Sequence, residues 1–557
     1  MTNMRVGDAS IALREIRNTP LPAASELSLP MFNLLLRLLL PFPSLLVLLL
    51  AATSALTLAA DRASPPPNIV FILVDDMPWF GTPVRMSADL PESAMAFRHM
   101  PNVEKLAAQG MTFRNAYAAA GMCGPSRCSI QTGMITARHL YSGNGGFGEK
   151  TNGTVQYLTR GQDAARPLLQ PEPQGNLRFP SIGDLFKSAG YATAHFGKWH
   201  LYGGGPARHG YEENDGDTDN TSGRPIDAAT GQMTDTSDDP KQMFSLTRRS
   251  IDFMERQTKA GRPFYLQVSH YATHARWQAT KKTLEKYEKD PVFLKIENRR
   301  DRTHTMLGAA MVEDLDTAIG MLLQKLEALG IAQNTYVVFT TDNGYRNWNQ
   351  SYEPLRGAKW WLWECGIRVP LIVRGPAVPA ASRSTVNVVG YDFLPTFAEL
   401  AGATAKLGRN IDGVSFKRIL LGGKPTEQDL TRPLFFHYPH YRVSPPASAI
   451  IVGDTKLMHW YEWPDQRFVY DLGRDLGEKN NLAAGNPGRT AQLQRQLMAG
   501  LKAAGAYLPK PNPKADPKAR RYDPANLADQ GEGGDPEATA SDAPPAGVKK
   551  NGKAKKK

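Results

Sequence analysis

Cysteine is scarce in this chain. Cys123, Cys128 and Cys365 are the only three among 557 residues. So small and odd a number excludes a disulfide framework, and no Cys-x-x-Cys spacing encodes a metal finger. Internal repeats are also missing. No helix-turn-helix, zinc-finger or aromatic-basic RNA-binding pattern is present, so nucleic acid is not an expected partner. Acidic charge is in deficit, with 54 Asp and Glu against 66 Lys and Arg, a net +12. Part of the excess is local: from Gly505 to Lys557 eleven basic residues face seven acidic ones, and such runs form solvated tails. The remainder suits an anionic ligand, which a basic cleft concentrates by steering. What is plentiful is ordinary: 41% hydrophobic and 22% charged residues describe a soluble globular protein with enough chain to bury a core.

Residues 1–60 read as a signal-peptide region. Arg37 precedes an uncharged, leucine-rich stretch that ends at Thr57-Leu58-Ala59-Ala60, a small-residue cleavage pattern. Met31 is a second candidate start. An uncleaved anchor is the competing reading, because the run from Leu38 is long enough to span a bilayer; Pro41 and Pro43 weigh against it. No cysteine lies at the cleavage site, which argues against a lipoprotein. The expected location is periplasmic or secreted, with membrane contact only if the segment stays uncleaved.

Residues 61–67 form a proline-rich linker. Asn68 to Val74 is a continuous apolar run that suits a strand buried on both faces. Further strands are expected at Tyr191–Phe196, Phe264–Val268 and Thr335–Thr340, with helices at Val103–Gln109, Ser181–Ala189 and Met306–Leu329. This alternation predicts an α/β domain over 68–425, a large mostly parallel sheet sandwiched by helices. Over 426–505 the pattern changes to short, closely spaced strands and one helix, a smaller antiparallel α+β unit. Residues 506–557, rich in Pro, Gly, Ala, Asp and Lys, read as a disordered basic tail. Acids, histidines and lysines cluster just after the apolar strands, where ligands bind in open α/β sheets.

The most informative stretch is Cys123-Gly124-Pro125-Ser126-Arg127, followed by Thr132-Gly133. Proline suits the first turn of a helix, and both the helix start and the arginine favour bound negative charge. The stretch resembles the type I sulfatase signature, Cys-x-Pro-Ser-Arg with a downstream Thr-Gly. Three more segments resemble that family. Gly197-Lys198-Trp199-His200 is close to Gly-Lys-Trp-His-Leu-Gly, with Tyr202 in place of the last glycine. Tyr271-Ala272-Thr273-His274 matches the frame of the second family histidine, with Arg276 where a proline is common; His270 is the competitor. Arg356-Gly357-Ala358-Lys359 and Glu364-Cys365-Gly366-Ile367-Arg368-Val369-Pro370 differ from the family form at Ala358 and Cys365. The resemblance covers about residues 68 to 485.

The resemblance implies an alkaline-phosphatase-like fold and a formylglycine made from Cys123 by a formylglycine-generating enzyme. It implies that Asp75, Asp76, Asp342 and Asn343, with the modified Cys123, hold one divalent cation. Hard oxygen donors of this kind suit Ca²⁺ or Mg²⁺. Arg127, Lys198 and Lys359 are expected to stabilise the sulfuryl oxygens. The formylglycine hydrate attacks sulfur, His274 or a lysine near it protonates the departing alcohol, and His200 deprotonates the remaining hydroxyl. Sulfated carbohydrate is the expected substrate, with Trp360, His437 and His440 as candidate contacts. The long irregular stretches 142–176 and 203–239 are candidate specificity loops. Two other readings stand beside this one: a phosphodiesterase or phosphonate monoester hydrolase of the same superfamily, and a non-catalytic glycan-binding protein. A binder needs no nucleophile, so the intact set argues against the last.

Overall fold

The structure, a computed structural model, describes residues 65–518 and 523, apart from 144–149, 152–153, 156–157, 159–179, 202–203, 221, 223–237, 276, 346–353, 409 and 442. The segment expected to be a signal peptide, most of the expected tail and much of both candidate specificity loops lie outside the described residues. The described residues from Pro66 onward fall in one compact unit. Among the described residues, no helix is long and apolar enough to cross a membrane.

Strand β1, Asn68–Val74, is buried along its whole length and pairs in parallel on both sides. Its neighbours are β5, Phe264–Ser269, and β6, Thr335–Thr341. The side-chain period of two sends alternate residues of β1 to opposite faces. Val70, Ile72 and Val74 enter one hydrophobic core, and Ile69, Phe71 and Leu73 enter the other. Burying each such side chain contributes about 1.5–3 kcal/mol. A continuous apolar run is therefore what this position needs.

The other strands of the sheet are β2 (Met111–Phe113), β3 (Ala192–Gly197), β4 (Glu213–Asn214), β7 (Leu371–Arg374) and β8 (Ser382–Ser384). Their order is β8-β2-β7-β6-β1-β5-β3-β4. Only β7 runs against its neighbours. The carboxyl ends of β1, β3, β5 and β6 thus open on one edge. Helices α1 (Pro101–Ala108), α2 (Cys123–Thr132), α3 (Ile182–Ser188), α4 (Met243–Lys259), α5 (Arg299–Ala328) and α6 (Phe393–Leu400) belong to this domain. Helix α5 starts before the expected Met306, because its first turns are polar and carry no apolar period.

Strands β9 (Pro433–Tyr438), β10 (Ala447–Val452), β11 (Thr455–Trp460) and β12 (Phe468–Asp471) form an antiparallel meander in sequence order. Helix α7, Pro487–Ala504, buries Leu493, Leu497 and Leu501. The smaller sheet shares a core cluster with the larger one, and Trp363 meets Trp460 at a ring separation of 5.6 Å.

Candidate active site

Each strand that ends at the open edge delivers polar residues there. β1 runs into Asp75 and Asp76. Asp76 has φ +58°, a left-handed turn uncommon for a residue with a side chain. β3 ends at Gly197, where φ is +93° and a Cβ would lie 2.0 Å from the Ser269 carbonyl oxygen; only glycine fits. The chain then presents Lys198 and His200. β5 leads to His270 and His274, and β6 to Asp342 and Asn343. Cys123 opens α2, whose ten residues are all buried. The Ser126 hydroxyl accepts from the Ala120 amide (3.0 Å) and donates to the Ala120 carbonyl (2.8 Å), locking the turn into the helix.

The Cys123 Sγ lies 3.4 Å from Asp75 Oδ1 and 3.5 Å from Asp76 Oδ1. Lys198 Nζ pairs with Asp75 Oδ2 at 2.5 Å, and Lys359 Nζ with Asp76 Oδ2 at 2.7 Å. Arg127 donates from Nε to Asp342 Oδ2 (2.8 Å) and from Nη1 to the Lys198 carbonyl (2.6 Å). Asn343 Nδ2 donates to Asp76 Oδ1 at 2.7 Å. His274 Nε2 stands 3.7 Å from Asp76 Oδ2. All of these side chains are buried.

Burial, outweighing Lys198, raises the Asp75 carboxyl to about 7. For Asp76 burial works the same way but is overcome by Lys359, His274 and Lys198, so its carboxyl stays well below the usual range. Burial, then Asp342, pushes the Cys123 thiol well above its ordinary value. Burial and the surrounding cations hold both His200 and His274 neutral; Lys198 is the strongest cation for His200 and Lys359 for His274.

Ligand atoms of Asp75, Asp76, Cys123 and Asp342 all lie within 4.8 Å of one another. The Asn343 Oδ1 beside them is buried, with no hydrogen-bond partner among the described residues. A buried, unpaired carbonyl oxygen next to three carboxylates is the environment a hard divalent cation satisfies. The residues fit the expected ion. Arg127 Nη2 is likewise buried and unpartnered, a donor to spare for an anion.

The remaining candidates make none of the contacts with the Cys123 cluster described above, and Trp360 stands beside Lys359. His270 is buried, and neither ring nitrogen has a hydrogen-bond partner among the described residues. His437 bonds through Nδ1 to Ser448 Oγ (2.7 Å) and through Nε2 to the Tyr507 carbonyl (3.0 Å), so both nitrogens are engaged within the fold. His440 Nε2 meets Ser142 Oγ at 2.7 Å. Trp360 is buried at φ +72°, with Lys359 Nζ 5.3 Å from its ring centroid. The three cysteines are free and buried.

The sequence singles out neither of two further residues in the neighbourhood, Thr273 and Lys241. Thr273 donates from Oγ1 to the Asp75 and Asp76 carbonyls at 3.1 and 3.2 Å. Lys241 is buried and donates from Nζ to the Ala275 carbonyl at 3.2 Å. The Asp239-Pro240 turn ahead of α4 marks a helix start in the sequence; nothing in it marks Lys241 as facing inward.

The family model for sulfatases matches residues 67–403, and the one described as N-sulphoglucosamine sulphohydrolase, C-terminal, matches 358–505. N-acetylgalactosamine-6-sulfatase of Canis lupus familiaris is 30% identical over 469 residues, which cover 78% of this chain and 79% of that protein. The solved PsFucS1 sulfatase from Pseudoalteromonas sp. superposes with a TM-score of 0.61 at 21% identity, covering 84% of this chain and 95% of that one. A protein solved in complex with its substrate D-glucosamine-2-N,6-O-disulfate gives a TM-score of 0.56 at 20% identity, covering 79% of this chain and 98% of that one. The two solved structures share the fold, and the family match spans more than half of the chain. The chain belongs to the sulfatase family: it is a sulfuric ester hydrolase of alkaline-phosphatase-like fold.

Proposed function

We propose that this sulfatase removes sulfate from sulfated sugars outside the cytoplasm, using a formylglycine made from Cys123 beside one Ca²⁺ or Mg²⁺ ion. The observation that carries the reading is the convergence on Cys123 of three carboxylates and three cations from five separate segments. 6-O-sulfated amino sugars are the first substrates to test. The canine relative is named for such a sulfate, and the solved neighbour's substrate carries one.

Asp75, Asp76, Asp342 and Asn343 Oδ1 would hold the cation, which supplies positive charge against the sulfuryl oxygens and the nucleophile. Formylglycine supplies, as its hydrate, one hydroxyl to attack sulfur and a second from which release proceeds. The chain's own cations do the rest. Arg127, with Nη2 to spare, Lys198 and Lys359 bind the sulfuryl oxygens in a site without water screening. His274 meets Asp76 at Oδ2 while Asn343's amide meets it at Oδ1, and His274 serves the departing oxygen in this reading. His200, held neutral, can accept a proton. The modification requires a formylglycine-generating enzyme as partner, and the N-terminal region supports export.

The test is a matched pair of sulfate and phosphate esters given to protein co-produced with that enzyme. Faster sulfate release, with the aldehyde at position 123 seen by peptide mass spectrometry, supports the reading. Faster phosphate release would assign phosphoester hydrolysis instead, and sulfate turnover with an unmodified thiol would remove the formylglycine step.

A further inference from the structure

We propose that Lys241 is a positioning residue for His274, holding the imidazole on the leaving-group side of the site through the carbonyl of Ala275. This rests on the reaction proposed above. The Ala275 oxygen meets two nitrogens: His274 Nδ1 at 2.8 Å and Lys241 Nζ at 3.2 Å. A carbonyl has two lone pairs and can accept both. With Nδ1 donating there, Nε2 faces Asp76, 3.7 Å away, and the proton passed to the departing alkoxide is a second one, carried on Nε2. The placement of that carbonyl thus bears directly on the orientation of the ring.

The loop that bears His274 is fixed mainly on its Thr273 side. The Thr273 amide donates to the Asp75 carbonyl at 2.7 Å, its hydroxyl to Asp75 and Asp76, and its carbonyl accepts from Trp277 Nε1 at 3.0 Å. Lys241 anchors the other side from a different element, the turn into α4.

That turn is built at a cost. Lys241 and Gln242 are successive non-glycine residues at φ +54° and +55°. Such conformations persist where the surroundings over-determine them, and they cluster at functional sites. Here Asp239 Oδ1 caps the Phe244 amide at 2.7 Å, and Gln242 Nε2 donates to the Ser222 carbonyl at 2.6 Å. The outcome is a lysine only 3% exposed, whereas lysine is almost never buried without a specific partner.

The experiment is a double-mutant cycle, Lys241→Met and His274→Ala, run on an alkyl ester (a 6-O-sulfated amino sugar) and on nitrophenyl sulfate. Rates are normalised to the formylglycine content of each variant. An alkoxide needs help to leave and a nitrophenolate does not. Lys241→Met should lower kcat/KM on the sugar sulfate about 10–100-fold, the scale of a misplaced catalytic group, and on the aryl ester by less than about threefold. In the His274→Ala background the same change should cost nothing further on the sugar, because residues acting as a unit are not additive. Lys241→Arg keeps a donor and should recover most of the loss. If Lys241→Met does not fold, Lys241→Arg and Lys241→Gln carry the same two-substrate comparison. Turnover of both esters by the unmutated enzyme tests the underlying reaction separately. With that enzyme active, an equal loss on both esters, or a full loss persisting without His274, overturns the inference.

Discussion

The site is built from charges that cannot stand alone. Asp342 is the clearest case: one carboxylate oxygen takes Arg127 Nε and the other takes the Asp76 amide at 3.2 Å. Asp342→Ala should remove a cation donor and both anchors, lowering turnover about 10²–10³-fold, as for loss of one transition-state-stabilising group. Elemental analysis of the purified variant should find less than one ion per chain, where the unmutated protein holds one. Unaltered turnover and ion content would contradict the cation assignment. At this scale much was legible in the sequence. Asp75, Asp76, Asp342 and Asn343 are acids and an amide placed directly after apolar runs, where a parallel sheet puts its ligands, and the cysteine motif tied them together. Lys241 and Thr273 were not legible. Their importance arises from which carbonyl each reaches, and a single sequence does not encode that locally.

At the scale of elements, the segment 356–368 connects the nucleophile to the smaller sheet. The Trp360 amide donates to the Gly121 carbonyl and the Lys359 amide to the Tyr345 carbonyl, both at 2.6 Å. Beyond them lies a fully buried ion network. Lys456 Nζ, on β11, meets Glu364 Oε1 at 3.0 Å and Glu478 Oε1 at 2.8 Å, while Arg368 Nε holds Glu364 Oε2 at 2.6 Å. Two cations balance two carboxylates. Lys456→Met leaves the acids undercompensated and should destabilise the fold by about 3–5 kcal/mol, read from the denaturant midpoint at an unchanged m-value. A loss below about 1 kcal/mol, the value of an exposed pair, would show that the network does not hold the segment. The strands flanking the site were legible because β1, β5 and β6 each carry an apolar run, Ile69 to Val74, Phe264 to Leu266 and Tyr336 to Phe339. The network was not: Glu364 and Glu478 are far apart in sequence, and only the docking of the two sheets brings them together.

For the whole molecule, buried histidines set the response to acid. Burial holds His139 and His195 at about 3, and His270, His437 and His459 at about 4, against 6.5 in an unfolded chain. A depressed folded value contributes stability that is present above pH 6.5 and lost as pH falls. Below that point each such histidine costs up to about 1.4 kcal/mol per pH unit. Carboxyls raised by burial act in the opposite sense, and of these Asp75 and Glu478, at about 7, are the two that are carried into the neutral range. Tm should therefore fall between pH 6.5 and pH 5, the window in which the unfolded histidines take up protons and the buried ones do not. A Tm that is flat or rising over that range would show that these rings are not held neutral.

Chain-wide, the account stands on sulfate ester cleavage by a modified Cys123. The most direct measurement is inorganic sulfate released from a panel of sulfated amino-sugar oligosaccharides, by the protein co-produced with a formylglycine-generating enzyme and by its Cys123→Ala variant. The account predicts release from at least one 6-O-sulfated sugar by the former and a loss of at least about 10³-fold in the latter. Equal release by both proteins, or none by the first with the aldehyde confirmed at position 123, would contradict it.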